Sequence, residues 1–256
     1  MGEKDVISQF GKSAKAYVDS SIHKKGSDLQ KLKEITGMTG EEQVLDVATG
    51  GGHTANALAP AVKHVTALDV TPEMLNEAEQ FITGQGNKNV SFTLGKAEQL
   101  PFPGESFDIV TCRIAAHHFS DTEKFVKEVS RVLKKEGQFI LDDNVAPEDE
   151  KLDEFYNKVE KLRDYSHQRA YKKSEWLKQI ELTGFKISDW YSFEKTFKFD
   201  SWCDRMQLPA EEKEELNDIF IKAPKETKNY FNIKTDESGR TVTFQGEAIL
   251  LRAVKR

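Results

Sequence analysis

Residues 44–59, VLDVATGGGHTANALA, constrain the fold more than any other stretch: an apolar run that reads as a buried strand stops at three consecutive glycines, Gly50, Gly51 and Gly52, and resumes as a helix. A glycine inside a helix or strand costs about 0.5–1 kcal/mol relative to alanine. Three together at a junction therefore need a use. A strand-to-helix turn is satisfied by one; the others let bare backbone amides approach a ligand at the positive end of a helix, with no Cβ in the way.

The rest of the chain repeats this rhythm. Short apolar runs at 64–69, 90–94, 107–112 and 138–142 read as strands, with helical patterns near 53–59, 72–83 and 121–134 between them. Thr71 before Pro72 marks one helix start, and Ser120 with Glu123 three residues on reads as a capping box for another. Such alternation gives a parallel sheet with helices on both faces. Beyond 146, helices at 149–163, 174–182 and 210–223 accompany FKISDWYSFEKTFKF and TVTFQGEAILLRAVK, which alternate like antiparallel strands. The expected architecture is an α/β, doubly wound, seven-stranded, mostly parallel sheet with an antiparallel C-terminal edge. It divides into an N-terminal helical segment at 1–40, an alternating core at 41–145, and helical insertions plus edge strands at 146–256, within one structural domain.

In open α/β sheets ligands bind at the carboxyl ends of strands, where strand order reverses. Gly50-x-Gly52-x-x-Ala55 fits a dinucleotide fingerprint, and Asp69 ends the next strand, where a carboxylate accepts hydrogen bonds from ribose hydroxyls. On these residues alone, NAD and other ribose-bearing cofactors both remain open.

The stretches VLDVATGGG, VTALDVTPEML, GKAEQLPFPGESFDIV, CRIAAHHFSD and EVSRVLKKEGQFIL decide between them. In order and spacing, over about residues 41–145, they resemble the successive motifs of class I S-adenosylmethionine-dependent methyltransferases, most closely the ubiquinone/menaquinone biosynthesis C-methyltransferase subgroup, with a looser match at FGKSAKAYVDSS. The resemblance implies a Rossmann-like fold and S-adenosyl-L-methionine as cofactor. It places Asp46 and the backbone of Ala48, Gly50 and Gly52 by the methionine part, gives Asp69 the ribose hydroxyls, and sets Val70 and Met74 beside the adenine. Ala97, Leu100 and Arg113 complete the implied cofactor surroundings. Lys96 stands where the family usually has an aspartate facing the adenine amino group, leaving the Ala97 amide with Leu100 and Phe102 to hold the ring. The plainer readings are a turn-stabilising carboxylate for Asp46 and a surface carboxylate for Asp69.

Such a cofactor carries its methyl already activated on a sulfonium, so the protein must align an acceptor and exclude water. A base is needed only where the acceptor atom arrives protonated. His117 and His118, after the fourth strand, are the candidates, because imidazole titrates near pH ~6.5. The plainer reading packs one under the cofactor and sets the other against the chain near Ser120 and Asp121. No metal site is expected, since adjacent histidines point apart. Under the lid that the resemblance implies, Tyr17, His23, Asp143, Arg163, His167, Arg169 and Tyr171 are the candidate acceptor residues, with Arg163, His167 and Arg169 able to hold an acidic or phenolate acceptor jointly. The plainer reading of these cations is salt bridging; that of Phe155, Trp176, Trp190 and Trp202 is packing.

Several reactions are disfavoured. Arg113-Ile114-Ala115-Ala116 stands where the family's amino-methylating members on bases and glutamine carry Asn/Asp-Pro-Pro-aromatic, neither Cys112 nor Cys203 follows a proline as in cytosine C5 enzymes, and two cysteines cannot supply multi-cysteine arsenite chemistry. C- or O-methylation of a small molecule by in-line displacement is favoured, with small-molecule N-methylation left open. A net charge of −6 argues against a nucleic-acid partner. The cysteine usage suits the cytoplasm, and no window carries the ~18 apolar residues of a membrane span. The alternatives are a non-catalytic S-adenosylmethionine-binding regulatory module and an NAD-dependent dehydrogenase.

Overall fold

Five apolar runs pair in parallel to make most of the sheet. In the computed structural model, which describes residues 27–256, they are β1 (Gln43–Val47), β2 (His64–Asp69), β3 (Val90–Leu94), β4 (Phe107–Arg113) and β5 (Leu133–Val145). Two long strands, β6 (Phe185–Lys198) and β8 (Thr241–Lys255), and the two-residue β7 (Lys234–Thr235) join them antiparallel. The order is β3-β2-β1-β4-β5-β8-β6, with β7 on β8. The mostly parallel sheet with an antiparallel edge is as expected; β7 is an eighth strand, too short to declare itself by alternation.

The helices are α1 (Ser27–Thr36), α2 (His53–Leu58), α3 (Pro72–Gly84), α4 (Thr122–Val132), α5 (Glu150–Arg163), α6 (Lys173–Leu182), α7 (Phe199–Asp204), α8 (Ala210–Lys222) and α9 (Lys225–Tyr230). On one face of the sheet α4 buries Phe125, Val126, Val129 and Val132 against Phe139 and Leu141. On the other, Leu32 and Ile35 of α1 pack with Val65, Ile82 and Leu250. Each such side chain contributes about 1.5–3 kcal/mol of transfer free energy. The described part of the expected N-terminal lid is thus a helix packed on the sheet; Tyr17 and His23 lie outside the described residues. Among those residues no helix is long and apolar enough to cross a membrane.

One cap differs from expectation. Ser120 gives its N–H and its hydroxyl to Glu98 Oε1, both at 2.9 Å, so the next residue, Asp121, caps α4 by accepting from Lys124 N at 2.9 Å. Thr71 does sit before Pro72 at the start of α3, without a side-chain cap bond.

Two features position a site. Strand order reverses between β1 and β4, whose carboxyl ends lie together with Val47 opposite Cys112; this is where such sheets take ligands. In addition, β5 ends with Val145 opposite Glu247, whereas β6 continues along β8 until Lys198 faces Thr243. The β6–β8 ribbon therefore overruns the rim of the parallel strands. It carries α7 beyond that rim, where Phe199 and Trp202 join Phe220 and Phe244 in a separate aromatic cluster.

Candidate functional site

Past the tip of β1 the chain turns through left-handed conformations at Ala48, Gly50 and Gly52, with φ of 54°, 53° and 79°. For a residue with a Cβ each such conformation costs about 1–2 kcal/mol. The glycines serve different ends. A Cβ on Gly52 would lie 2.8 Å from Ile82 Cδ1 and 3.0 Å from Ala78 Cβ, so its absence lets the loop pack on α3; a Cβ on Gly50 would meet open space.

Two buried carboxylates tie this loop down. Asp46 accepts from Thr49 Oγ1 and Thr111 Oγ1, each at 2.6 Å. Asp69 accepts from Gly50 N and Thr71 N, each at 2.9 Å. Gly52 N donates to Thr49 O. The amides of Gly50 and Gly52 are therefore engaged by Asp69 and Thr49, a correction to the expectation of bare amides: the glycines offer close approach, and Asp69 keeps open hydrogen-bonding capacity. Burial pushes Asp46 up to about 6 despite its two hydroxyl donors. Burial also raises Asp69, against the pull of its backbone donors.

Beyond β4 the backbone is strained. Ile114, a β-branched residue, holds φ of 53° while its N–H donates to Asp142 O at 2.6 Å, a conformation costing about 1–3 kcal/mol that recurs at functional sites. Before it, buried Arg113 meets Asp28 at 2.6 Å and Asp142 at 3.2 Å. Burial pushes Asp142 up to about 8. Asp28 is burdened by the same burial, yet the Arg113 charge holds it below the usual range.

After Ile114 comes a histidine cluster. The ring of His117 lies 4.1 Å from that of His118 and 5.6 Å from that of His167, centroid to centroid. Asp143 takes the His117 backbone N–H at 2.8 Å and meets Nδ1 at 2.6 Å. An ionised carboxylate only accepts, so Nδ1 carries the proton and Nε2 is the proton-accepting nitrogen. Burial would lower His117, but the attraction of Asp143 outweighs it and the net shift is upward. Burial and the neighbouring His117 push His118 down to about 3. His167 is lowered strongly by burial and both neighbours, and its Nε2 pairs with Asn157 Oδ1 at 3.0 Å.

The third wall comes from the overrunning ribbon and α5. Lys195, Phe197 and Lys198 of β6, Trp202 of α7 and Arg205 just beyond it line it together with Arg163. Arg163 meets Glu160 at 2.9 Å and lies 4.9 Å over the Trp202 ring. With the loop, His117 and His118 these residues bound a cavity of about 940 Å³.

Residues 45–141 match the methyltransferase domain family. The uncharacterized methyltransferase YcgJ of Bacillus subtilis is 40% identical over 247 residues, 96% of this chain and 98% of its own length. Its crystal structure superposes with a TM-score of 0.88 over 91% of this chain and 99% of that one. A candidate methyltransferase from Bacillus halodurans C-125 is 53% identical, with a TM-score of 0.88 over 90% of this chain and 99% of that one. The ubiquinone/menaquinone biosynthesis C-methyltransferase UbiE of Rickettsia bellii is 37% identical over 120 residues, 44% of this chain and 48% of its own. The chain belongs to the class I S-adenosylmethionine-dependent methyltransferases.

The cavity of this methyltransferase suits its cofactor, S-adenosylmethionine. Each oxygen of Asp69 takes one N–H and can accept a further hydrogen bond, and Leu68, Val70, Met74 and Ala97 add apolar wall beside it. Of the expected cofactor residues, Asp46, Ala48, Gly50, Asp69, Val70, Met74, Ala97 and Arg113 line the cavity. Gly52 stands behind the loop, and Leu100 is buried in the core with its N–H on Glu128 at 2.8 Å.

The expected acceptor residues divide. His117, His118 and Arg163 line the cavity, and Asp143 lies buried behind His117. The trio Arg163, His167 and Arg169 is not brought together there. Arg169 is claimed by Asp153 at 2.9 Å and Glu175 at 3.3 Å, His167 by Asn157, and Tyr171 packs on Trp176 with ring centroids 5.4 Å apart. Sequence reasoning missed Lys195, Lys198 and Arg205, whose placement depends on how far β6 runs past β5.

Proposed function

We propose that this methyltransferase transfers the methyl group to carbon or oxygen of a small-molecule acceptor, with His117 removing the acceptor's proton. When bound, the cofactor supplies an electrophilic methyl on a sulfonium. Asp69 takes the ribose hydroxyls, Val70, Met74 and Ala97 flank the adenine, and Asp46 with the backbone of Ala48 and Gly50 lies along the methionine part. Arg113, braced by Asp28 and Asp142, stiffens the adjoining wall.

The observation that carries the reading is the 2.6 Å contact of His117 Nδ1 with Asp143 at the cavity wall. As the acceptor atom bonds to the methyl, Nε2 takes its proton, and Asp143 opposes the charge that forms on the ring; general-base assistance of this kind contributes about 10²–10⁴-fold. His118, held neutral, packs beside it. A C-methyltransferase among the relatives supports carbon as the acceptor atom. Both cysteines are free and buried, which supports a reducing, cytoplasmic setting.

The test supplies methyl-labelled S-adenosylmethionine with a bacterial small-molecule extract and follows the label by mass spectrometry. The expected product is a C- or O-methylated small molecule, lost at least a hundredfold in His117→Asn, whose affinity for S-adenosylhomocysteine stays within twofold of wild type. Label on nitrogen, label on a macromolecule, or full activity of the variant would overturn the reading.

A further inference from the structure

We infer that Ser166 and Asp164 are positioning residues for the transfer: they hold His118 as the neutral tautomer with its proton on Nδ1, so that among His117, His118 and His167 only His117 gains a proton in turnover. The inference rests on the reading of His117 as the base and adds what keeps that proton off its neighbours.

The tautomer follows from which groups can donate. Oδ1 of the buried Asp164 takes the backbone N–H of Ser166 at 2.9 Å and its hydroxyl at 2.5 Å. Burial works against the charge of Asp164, yet the ring of His118, the Ser166 donors and Arg163 hold it below the usual carboxylate range. An ionised carboxylate only accepts, so the serine proton lies toward Asp164. Ser166 Oγ, 3.2 Å from His118 Nδ1, then has only lone pairs to offer the ring, and Nδ1 must be the donor. His167 is settled in the same way. Asn157 Oδ1 accepts from Ala170 N at 2.7 Å, while Asn157 Nδ2 donates to Asp153 Oδ1 at 2.6 Å and to Ala170 O at 3.1 Å. The amide is thereby oriented, and His167 Nε2, 3.0 Å from its oxygen, carries that ring's proton.

The two neighbouring histidines thus meet their carboxylates differently. Asp143 touches the His117 ring at 2.6 Å, whereas the Ser166 hydroxyl stands between Asp164 and His118. A carboxylate in contact favours a charged ring; one reached through a hydroxyl still orients the ring but pulls on its charge from farther away. Burial and His117 lower the proton affinity of His118, while Asp164, the Ser166 backbone and Asp143 raise it, and the first two prevail. Glu160 and Asp164 act on His117 as well, and Arg163 and Lys161 on His167. The His117 and His118 rings lie 4.1 Å apart, so a proton on Nε2 of His118 would set a donor beside the ring whose Nε2 has to accept. Keeping that proton on Nδ1 leaves the base undisturbed.

The test is long-range proton–nitrogen NMR of the full chain, labelled with nitrogen-15 at histidine and saturated with S-adenosylhomocysteine, which reads each ring's tautomer with no acceptor present. Between pH ~5 and ~8 His118 should stay neutral with its proton on Nδ1 while His117 titrates. Ser166→Ala should move the His118 proton to Nε2. Ser166→Thr, which keeps the hydroxyl, and Asp164→Asn, whose Oδ1 still accepts, should leave it on Nδ1. Label transfer from methyl-labelled S-adenosylmethionine to the small-molecule extract should fall at least tenfold in Ser166→Ala and recover in Ser166→Thr. A proton on Nε2 of wild-type His118, a charged His118 ring, or Ser166→Ala with the wild-type tautomer or the wild-type rate would overturn the proposal; the wild-type spectrum can do so whether or not that variant folds. Full activity of His117→Asn would instead remove the base reading beneath it and leave the spectra as they are.

Discussion

The two ends of the cavity are built by different means. The cofactor end is built around one loop, residues 48–52, held by bonds to the tips of β1 and β2: Thr49 to Asp46 and Gly50 to Asp69, which also takes the N–H of Thr71. The opposite wall, where an acceptor is proposed to sit, is side chains from α5, β6 and α7, brought together because β6 follows β8 past the last pairing of β5. One end is specified by local conformation, the other by register and overhang. A chain of this design can alter its acceptor wall by changing the overrunning ribbon while the switch point between β1 and β4 stays intact.

The sharpest way to break that contrast is at the glycines. Gly52→Ala forces a Cβ into Ala78 and Ile82 at a left-handed φ, for which strain and overpacking together should cost about 2–4 kcal/mol of stability. Gly50→Ala meets only the conformational part, about 1–2 kcal/mol. Urea unfolding of the two variants measures the difference. Equal losses would mean that the loop's packing on α3 is soft and that local conformation does not fix the cofactor end.

The next effect sets the ends against each other. Asp69→Ala should weaken S-adenosylmethionine binding at least tenfold, about 1.4 kcal/mol, with the fold retained. Unchanged affinity by calorimetry would remove the ribose assignment. Arg163→Ala should lower acceptor turnover more than cofactor affinity. Equal loss of both would show the two ends to be one site, and the contrast would fall.

What could be read from residues alone follows the same division. The parallel strands, Asp69 and the glycine loop were legible because alternation and turn chemistry act within a few residues. Ser120 misled because Glu98, far from it in sequence, takes both of its donors. Ile114 gave no warning: a β-branched residue signals extended backbone, and only the surrounding packing holds it at φ of 53°. Arg169 looked like a ligand-binding cation, but Asp153 and Glu175 reach it from the first turns of two helices. Lys198 and Arg205 had no local signal, since strand overhang is a property of pairing.

The smallest expected effect lies where the ends meet, at His117. Its proton affinity is raised because Asp143 outweighs burial. The sign follows for both stability and activity. The ion pair stabilises the fold fully below the unfolded histidine value, near pH 6.5, and that stabilisation is lost as pH rises through the higher folded value. A base must be neutral to accept a proton, so turnover should climb over that same interval as stability is given up. Asp143→Asn removes the attraction and leaves burial, with the charges of Glu160 and Asp164, to act on the ring. The acid limb of the kcat profile should then move toward lower pH, while the maximal rate falls because the ring is less firmly oriented. An unmoved limb in that variant would show that His117 does not titrate in turnover. The cavity would then work by alignment alone, on an acceptor that arrives already deprotonated.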